Sequence, residues 1–355
     1  MFLALIERAI IASYKETHSV RFATAEVEER LNHSKDDSSS IILRSISMSI
    51  SISISITVYD AKSFQYPTTE QEWNSYQGIL LPGSFSSAYE EIPWIIHLKH
   101  VIQTEIHPKG RKTLAVCFGH QVFAHSFSGF KRDGNRNGDR NCHIRRNNDR
   151  SGGDFGGGGL ATPCPSGTQV GIRGCQLDMD LMASWNRGGT AVNNDDKSET
   201  TIGMMCTDSD GDGDGNGDCN HSCKILYTHG DMVHSLPDHC SVSLGGTELV
   251  PIQAAAYFQD DAQHSSTSSC TDKSNPRSAL PYAFTFQGHP EYAVSELGIE
   301  TFCNVLKKME GREHDRIDDA EMLKHAREDA LGALDDIDAD CVNLMQLVAK
   351  ILGWI

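Results

Sequence analysis

Positive charge is scarce in this chain. Its 355 residues hold 31 lysines and arginines against 48 aspartates and glutamates, a formal charge of −17. Nucleic acids and anionic membrane surfaces are bound through clustered positive charge, so neither is expected as a partner. Solubility is reason enough for the imbalance. Long apolar runs are missing too. None reaches the roughly 18 residues that cross a bilayer. Residues 1–6, Met-Phe-Leu-Ala-Leu-Ile, are apolar, but Glu7 and Arg8 interrupt them and no basic stretch precedes them, unlike a secretory leader. A disulfide rhythm is also absent. The eleven cysteines are odd in number and scattered, which fits a reducing compartment and a cytoplasmic protein.

Metal-ligand patterns begin and do not finish. Cys219-Asn-His-Ser-Cys223 has no further residues of ligand spacing nearby. The acidic tract 208–218 matches a calcium loop at Asp208, Asp210, Asp212 and Gly213. The closing position is Cys219 rather than Glu, and no amphipathic helices flank it. No metal is expected. That tract lies in 193–222, one of three stretches with few core-forming residues; the others are 131–159 and 259–278. Each reads as a solvated, disordered insertion between core strands.

What the chain does have is Thr-Leu-Ala-Val-Cys-Phe-Gly-His-Gln at 113–121. A strand-like apolar run delivers Cys117, Gly119 permits a tight backbone, and Val122, Phe123 and Ala124 resume a helical apolar pattern. This is the strand–turn–helix logic of a nucleophile elbow, with Cys in place of Ser. A sulfur at a helix N-terminus is favoured as thiolate by the dipole and the free N–H groups. Alone, the motif reads equally as a buried cysteine acting as a small hydrophobe. A second motif decides between them: Phe-Thr-Phe-Gln-Gly-His-Pro-Glu-Tyr at 284–292. Pro290 keeps His289 out of the α region. On extended backbone, residues two apart share a side, so Glu291 can sit beside His289 and orient its ring. A lone His-Pro-Glu is more often a surface turn; behind an apolar strand and paired with a cysteine elbow, it reads as a Cys117–His289–Glu291 triad.

These residues resemble the class I glutamine amidotransferase family over most of the chain. Gln-Gly-Ile-Leu-Leu-Pro-Gly-Ser at 77–84 resembles the strand and glycine turn that line the family's oxyanion hole. Val58-Tyr59-Asp60 resembles its second strand, after the Ser-Ile alternation of 45–56. Tyr-Thr-His-Gly-Asp-Met-Val at 227–233 resembles a segment of the substrate pocket. Among the family's branches, Cys-Phe-Gly-His-Gln and Gln-Gly-His-Pro-Glu-Tyr look most like the stand-alone γ-glutamyl peptidases. The resemblance implies a thiolate at Cys117 that attacks a γ-glutamyl amide, with His289 as acid and base. It implies oxyanion donors at Gly83 and Phe118, and substrate contacts at Gln121, His229 and Asp231. It implies a small-molecule γ-glutamyl substrate and no cofactor.

Around the insertions, strands alternate with helical candidates at 91–107, 294–310, 318–334 and 341–352. Such alternation predicts an α/β fold: a doubly wound, mostly parallel sheet with helices on both faces, flavodoxin-like, in one domain over 1–355. The site would lie at the strand carboxyl ends. Two other functions compete with the hydrolase. One is a glutaminase that passes ammonia to a synthase; with no synthase-like region after residue 300, its partner would be a separate chain. The other is a non-catalytic binding relative, against which the intact triad residues speak.

Overall fold

The computed structural model describes residues 55–128, 158–186, 222–259, 280–294, 296–309 and 320–355. The expected insertions lie outside these residues except for 158, 159, 222 and 259, and so do the apolar residues 1–6 and most of the Ser-Ile alternation.

Nine strands are described. They are β1 (Ile79–Leu81), β2 (Thr113–Val116), β3 (Leu160–Pro163), β4 (Gln169–Leu177), β5 (Ser222–His229), β6 (Asp231–Ser235), β7 (Ser241–Gly246), β8 (Ala254–Tyr257) and β9 (Ala283–Phe286). Seven form one sheet in the order β1-β2-β9-β8-β7-β4-β5, while β3 and β6 pair separately and antiparallel. The sheet is mixed. β1, β2 and β9 run parallel, with Ala115 opposite both Leu81 and Thr285, and the strands beyond β9 pair antiparallel. The expected α/β architecture is the one observed, with two of the six described pairings of the sheet parallel rather than most of them, and the parallel strands β2 and β9 carry the two motifs.

Seven α-helices are described: α1 (Glu70–Asn74), α2 (Pro93–Val101), α3 (Phe118–His125), α4 (Met179–Asn186), α5 (Glu296–Met309), α6 (Ala320–Gly332) and α7 (Leu334–Ile351). All four helical candidates are helical. The first ends in a π-turn at Ile102–Ile106, and the other three become α5, α6 and α7. No described helix is long and apolar enough to cross a membrane.

Side-chain alternation explains the layers. Leu114, Phe284, Phe286, Ala254 and Ala256 point to one face, where α4 and α7 bury Met182, Trp185, Leu344 and Val348 against them. Ala255, Tyr257 and Ala283 point to the other, under Ile95 and Leu98 of α2 and Phe118, Val122 and Phe123 of α3. A third cluster, with Val170 and Leu226 beneath Phe302, Leu306 and Ala330, seats α5 and α6 on β4 and β5. A sheet covered on both faces explains why strands such as Thr-Leu-Ala-Val and Ala-Phe-Thr-Phe are buried at every position.

One strand expectation is overturned. Residues 58–60 form no strand; Val58 is 83% exposed, and Asp60 instead caps a 3₁₀ turn, Ala61–Ser63, by accepting from the Lys62 N–H. A strand needs a paired neighbour, and among the described residues this segment has none.

The approach of α3 to the sheet edge depends on Gly119. A Cβ there would run into the carbonyl oxygen of Leu81, the last residue of β1. Gly119→Ala should therefore destabilise the fold by about 1–3 kcal/mol, the usual cost of overpacking a rigid contact. Urea unfolding of the variant measures it; an unchanged midpoint would show that β1 and α3 are loosely joined.

Candidate active site

At the end of β2 the chain reverses sharply into α3, and Cys117 takes the turn with φ 54° and ψ −110°. Among described residues other than glycine, only Phe64 also has positive φ. A side chain held there costs about 1–3 kcal/mol unless its surroundings enforce it. Two hydrogen bonds do so. The Cys117 N–H donates to the Phe286 carbonyl at 2.8 Å, and the Cys117 carbonyl accepts from the Gln121 N–H at 3.0 Å. The sulfur thus stands at the positive end of the α3 dipole. The cysteine is 6% exposed.

His289 arrives from the neighbouring strand. Past the end of β9 its N–H donates to the Leu226 carbonyl at 2.7 Å, a single bridge to β5. Nδ1 lies 2.8 Å from Glu291 Oε1, and both side chains are buried. The contact is the one expected, but its backbone origin differs. Pro290 starts a 3₁₀ turn, Pro290–Val294, so Glu291 is brought to the ring by a turn of helix rather than along an extended chain. Tyr292, on the same turn, stacks on the imidazole with centroids 4.4 Å apart and planes at 10°. Nε2 is buried and meets no partner at hydrogen-bond geometry among the described residues. Burial alone would push the imidazole pKa down. The charges of Glu291 and of nearby Cys117, with the hydrogen bond to Glu291, outweigh it and hold the pKa well above the ordinary histidine range.

Gly83 completes the corner. A Cβ on it would stand 3.1 Å from His289 Cε1, 3.5 Å from Cys117 Cβ and 3.9 Å from Cys117 Sγ, so the loop after β1 lays its bare backbone directly against the pair. Phe118 is the first residue of α3, where a helix offers no internal acceptor for the N–H.

The three expected pocket residues are also together, though not all with a side chain on offer. Gln121 is buried, and its Nε2 donates to the Asp231 carbonyl at 3.0 Å and to Gln287 Oε1 at 3.2 Å. His229 Nδ1 donates to the same Asp231 carbonyl at 2.8 Å. Burial drives the His229 pKa down to about 3, so the ring is neutral and Nε2 is an acceptor, buried without a partner among the described residues. The Asp231 carboxylate accepts from the Tyr89 hydroxyl at 2.9 Å. Asp231 is thus a hub: its backbone fixes two side chains and its carboxylate ties down the Gly83 loop.

Three residues here were not singled out in the sequence. Gln287, with an unpartnered buried Nε2, lies two positions before His289, a spacing that could have pointed to it. His120 joins α3 to the sheet. Burial lowers its pKa to about 4, so Nε2–H donates to the Ile252 carbonyl at 3.2 Å and Nδ1 accepts from Thr285 Oγ1 at 2.7 Å. Tyr89 gave no local signal, because its partner is 142 residues away.

The glutamine amidotransferase class-I family model matches residues 35–309. The chain is 32% identical to gamma-glutamyl peptidase 4 of Arabidopsis thaliana over 60 residues, 17% of this chain and 24% of the relative. It is 38% identical to gamma-glutamyl peptidase 3 of the same plant over 58 residues, 16% of this chain and 22% of the relative. The chain therefore spans about a quarter of the length of the curated relatives it matches. Among solved structures, a glutamine amidotransferase from Thermotoga maritima superposes with a TM-score of 0.46 and 15% identity, covering 83% of this chain and 85% of that one.

Removing the negative charge beside His289 should release the imidazole. Glu291→Gln is expected to lower the His289 pKa, because burial then acts with only Cys117 opposing it. NMR titration of labelled histidine, assigned with His289→Gln, reads the shift; an unmoved pKa would show that the carboxylate does not hold the proton there.

Proposed function

Because the chain belongs to the class I glutamine amidotransferase family, we propose that it hydrolyses γ-glutamyl amide bonds through a thioester on Cys117. The observation that carries this reading is the corner where Cys117, at its positive-φ turn, meets His289, Glu291 and the bare backbone of Gly83. In this reaction the Cys117 thiolate attacks the δ-carbonyl carbon of the substrate. The Gly83 and Phe118 N–H groups receive the developing oxyanion, an interaction whose loss typically costs about 10²–10³ in rate. His289, held protonated, gives its Nε2 proton to the departing amine, and the acyl group remains on sulfur. Neutral His289 then takes a proton from water, hydroxide replaces sulfur at the carbonyl, and glutamate leaves.

Glu291 keeps the imidazolium available through the first step. The buried acceptor at His229 Nε2 and donor at Gln287 Nε2 are the polar groups a glutamyl moiety would satisfy, since an unpaired buried group is costly when left so. Gln121 and the Asp231 carbonyl position them. The partial similarity to two γ-glutamyl peptidases favours a stand-alone peptidase acting on γ-glutamyl peptides or glutathione conjugates in the cytoplasm.

Free glutamate release by the purified chain from glutamine, a γ-glutamyl dipeptide and glutathione tests this directly. Release from the peptides is expected, and Cys117→Ala should reduce it to no more than about a thousandth, as losing a nucleophile does. Release that survives in Cys117→Ala would end the assignment. Release from glutamine alone, and only with a second protein present, would mark an ammonia-donating subunit. The alkaline limb of the kcat/KM profile provides a further check. It reports loss of the His289 proton, so Glu291→Gln should move it to lower pH.

A further inference from the structure

At the far end of α3 from Cys117 lies a second cluster of chemistry-bearing side chains. His107 closes the π-turn after α2, and His239 and Cys240 form the turn between β6 and β7. One ligand atom from each comes within 4.8 Å of the other two. We propose that these residues form a binding site for a divalent cation of the zinc type, separate from the Cys117 centre.

Two imidazole nitrogens and a thiolate are the donor set that a borderline-soft divalent ion takes in preference to magnesium or calcium. Metal–ligand lengths of about 2.0–2.3 Å would bring tetrahedral donors to roughly 3.4–3.7 Å from one another. Any remaining approach, at most about 1 Å, falls to His239, the least buried of the three. His107 and Cys240 are 8% and 1% exposed, and their surroundings hold them. His107 Nδ1 is 2.7 Å from the Tyr282 hydroxyl, which fixes the ring and would leave Nε2 as the atom that binds the ion. Such an outer partner accompanies most histidine ligands. The Cys240 backbone is pinned on both sides: its N–H reaches the Pro237 carbonyl at 3.4 Å, and its carbonyl accepts from the Phe258 N–H at 2.8 Å.

The walls are apolar. Phe127, just after α3, meets the His107 ring edge-on at 4.9 Å and the His239 ring at 6.3 Å, and stacks on Tyr257. Such a shell restricts water and strengthens charge–ligand attraction. On binding, the Cys240 thiol exchanges its proton for the metal, releasing H⁺ to solvent, and the fourth position is left to water. The ion would tie the end of α2 to the start of β7 and, through Tyr282, to β9. Histidines packed here for hydrogen bonding and ring contacts alone would make no demand on the Cys240 thiol, and that difference is measurable.

Cobalt(II) is the probe, titrated into the full chain carrying Cys117→Ala so that the proposed nucleophile binds none. One equivalent should bind, with a thiolate-to-cobalt charge-transfer band and visible bands of tetrahedral intensity, and zinc should displace it. Cys240→Ser should abolish the charge-transfer band. His239→Ala, at the least buried ligand, should weaken binding at least about tenfold while keeping the native circular dichroism. Tyr282→Phe should weaken it about 10–100-fold, the usual effect of losing an outer partner. Zinc should raise the thermal midpoint of the parent chain and not that of His239→Ala. No cobalt binding, or binding that both ligand variants leave unchanged, would overturn the site.

Discussion

The whole site hangs on a backbone reversal that the chain would not adopt unaided. Cys117 sits at φ 54°, a conformation disfavoured for any residue with a Cβ, and two backbone hydrogen bonds keep it there. One ties it to Phe286 on the adjacent parallel strand, the other to Gln121 one turn along α3. The first bond is also why His289 is near: the strand that holds Cys117 is the strand that ends at the histidine. Any change that separates β2 from β9 would relax the turn and part the sulfur from the imidazole together.

Electrostatics then divides similar groups by environment. Of the five buried histidines among the described residues, His120, His229 and His289 are the least exposed. Burial drives the first two neutral, to about 4 and about 3, and each settles into hydrogen bonds with carbonyls or a hydroxyl. His289 alone has a carboxylate at 2.8 Å and a sulfur close by, and it alone is held above its ordinary range. One charged imidazole among neutral ones means that a proton has a single defined place to reside, as acid–base chemistry at a carbonyl requires.

Much of this was legible in the residues. The apolar run before Cys117, Gly119 after it, and the proline between His289 and Glu291 are local signals, and local signals survive in sequence because backbone sterics act over a few residues. Other parts were not. That Glu291 reaches His289 from a 3₁₀ turn, and that residues 58–60 form no strand, depend on which neighbours are available to pair. The Tyr89–Asp231 bond and the meeting of His107 with His239 and Cys240 join segments far apart in the chain. Neither partner carries a pattern that names the other.

By itself the sequence determined the alternation of strands and helices, the elbow, and the three residues we propose as nucleophile, base and orienting acid, because each is written in residue type and short spacing. Tertiary structure decided the mixed pairing of the sheet, the neutrality of His120 and His229, and the hub at Asp231. It also decided how closely Gly83 approaches the sulfur. Those follow from burial and from contacts across the fold, where a residue's properties are set by what packs against it rather than by what precedes it.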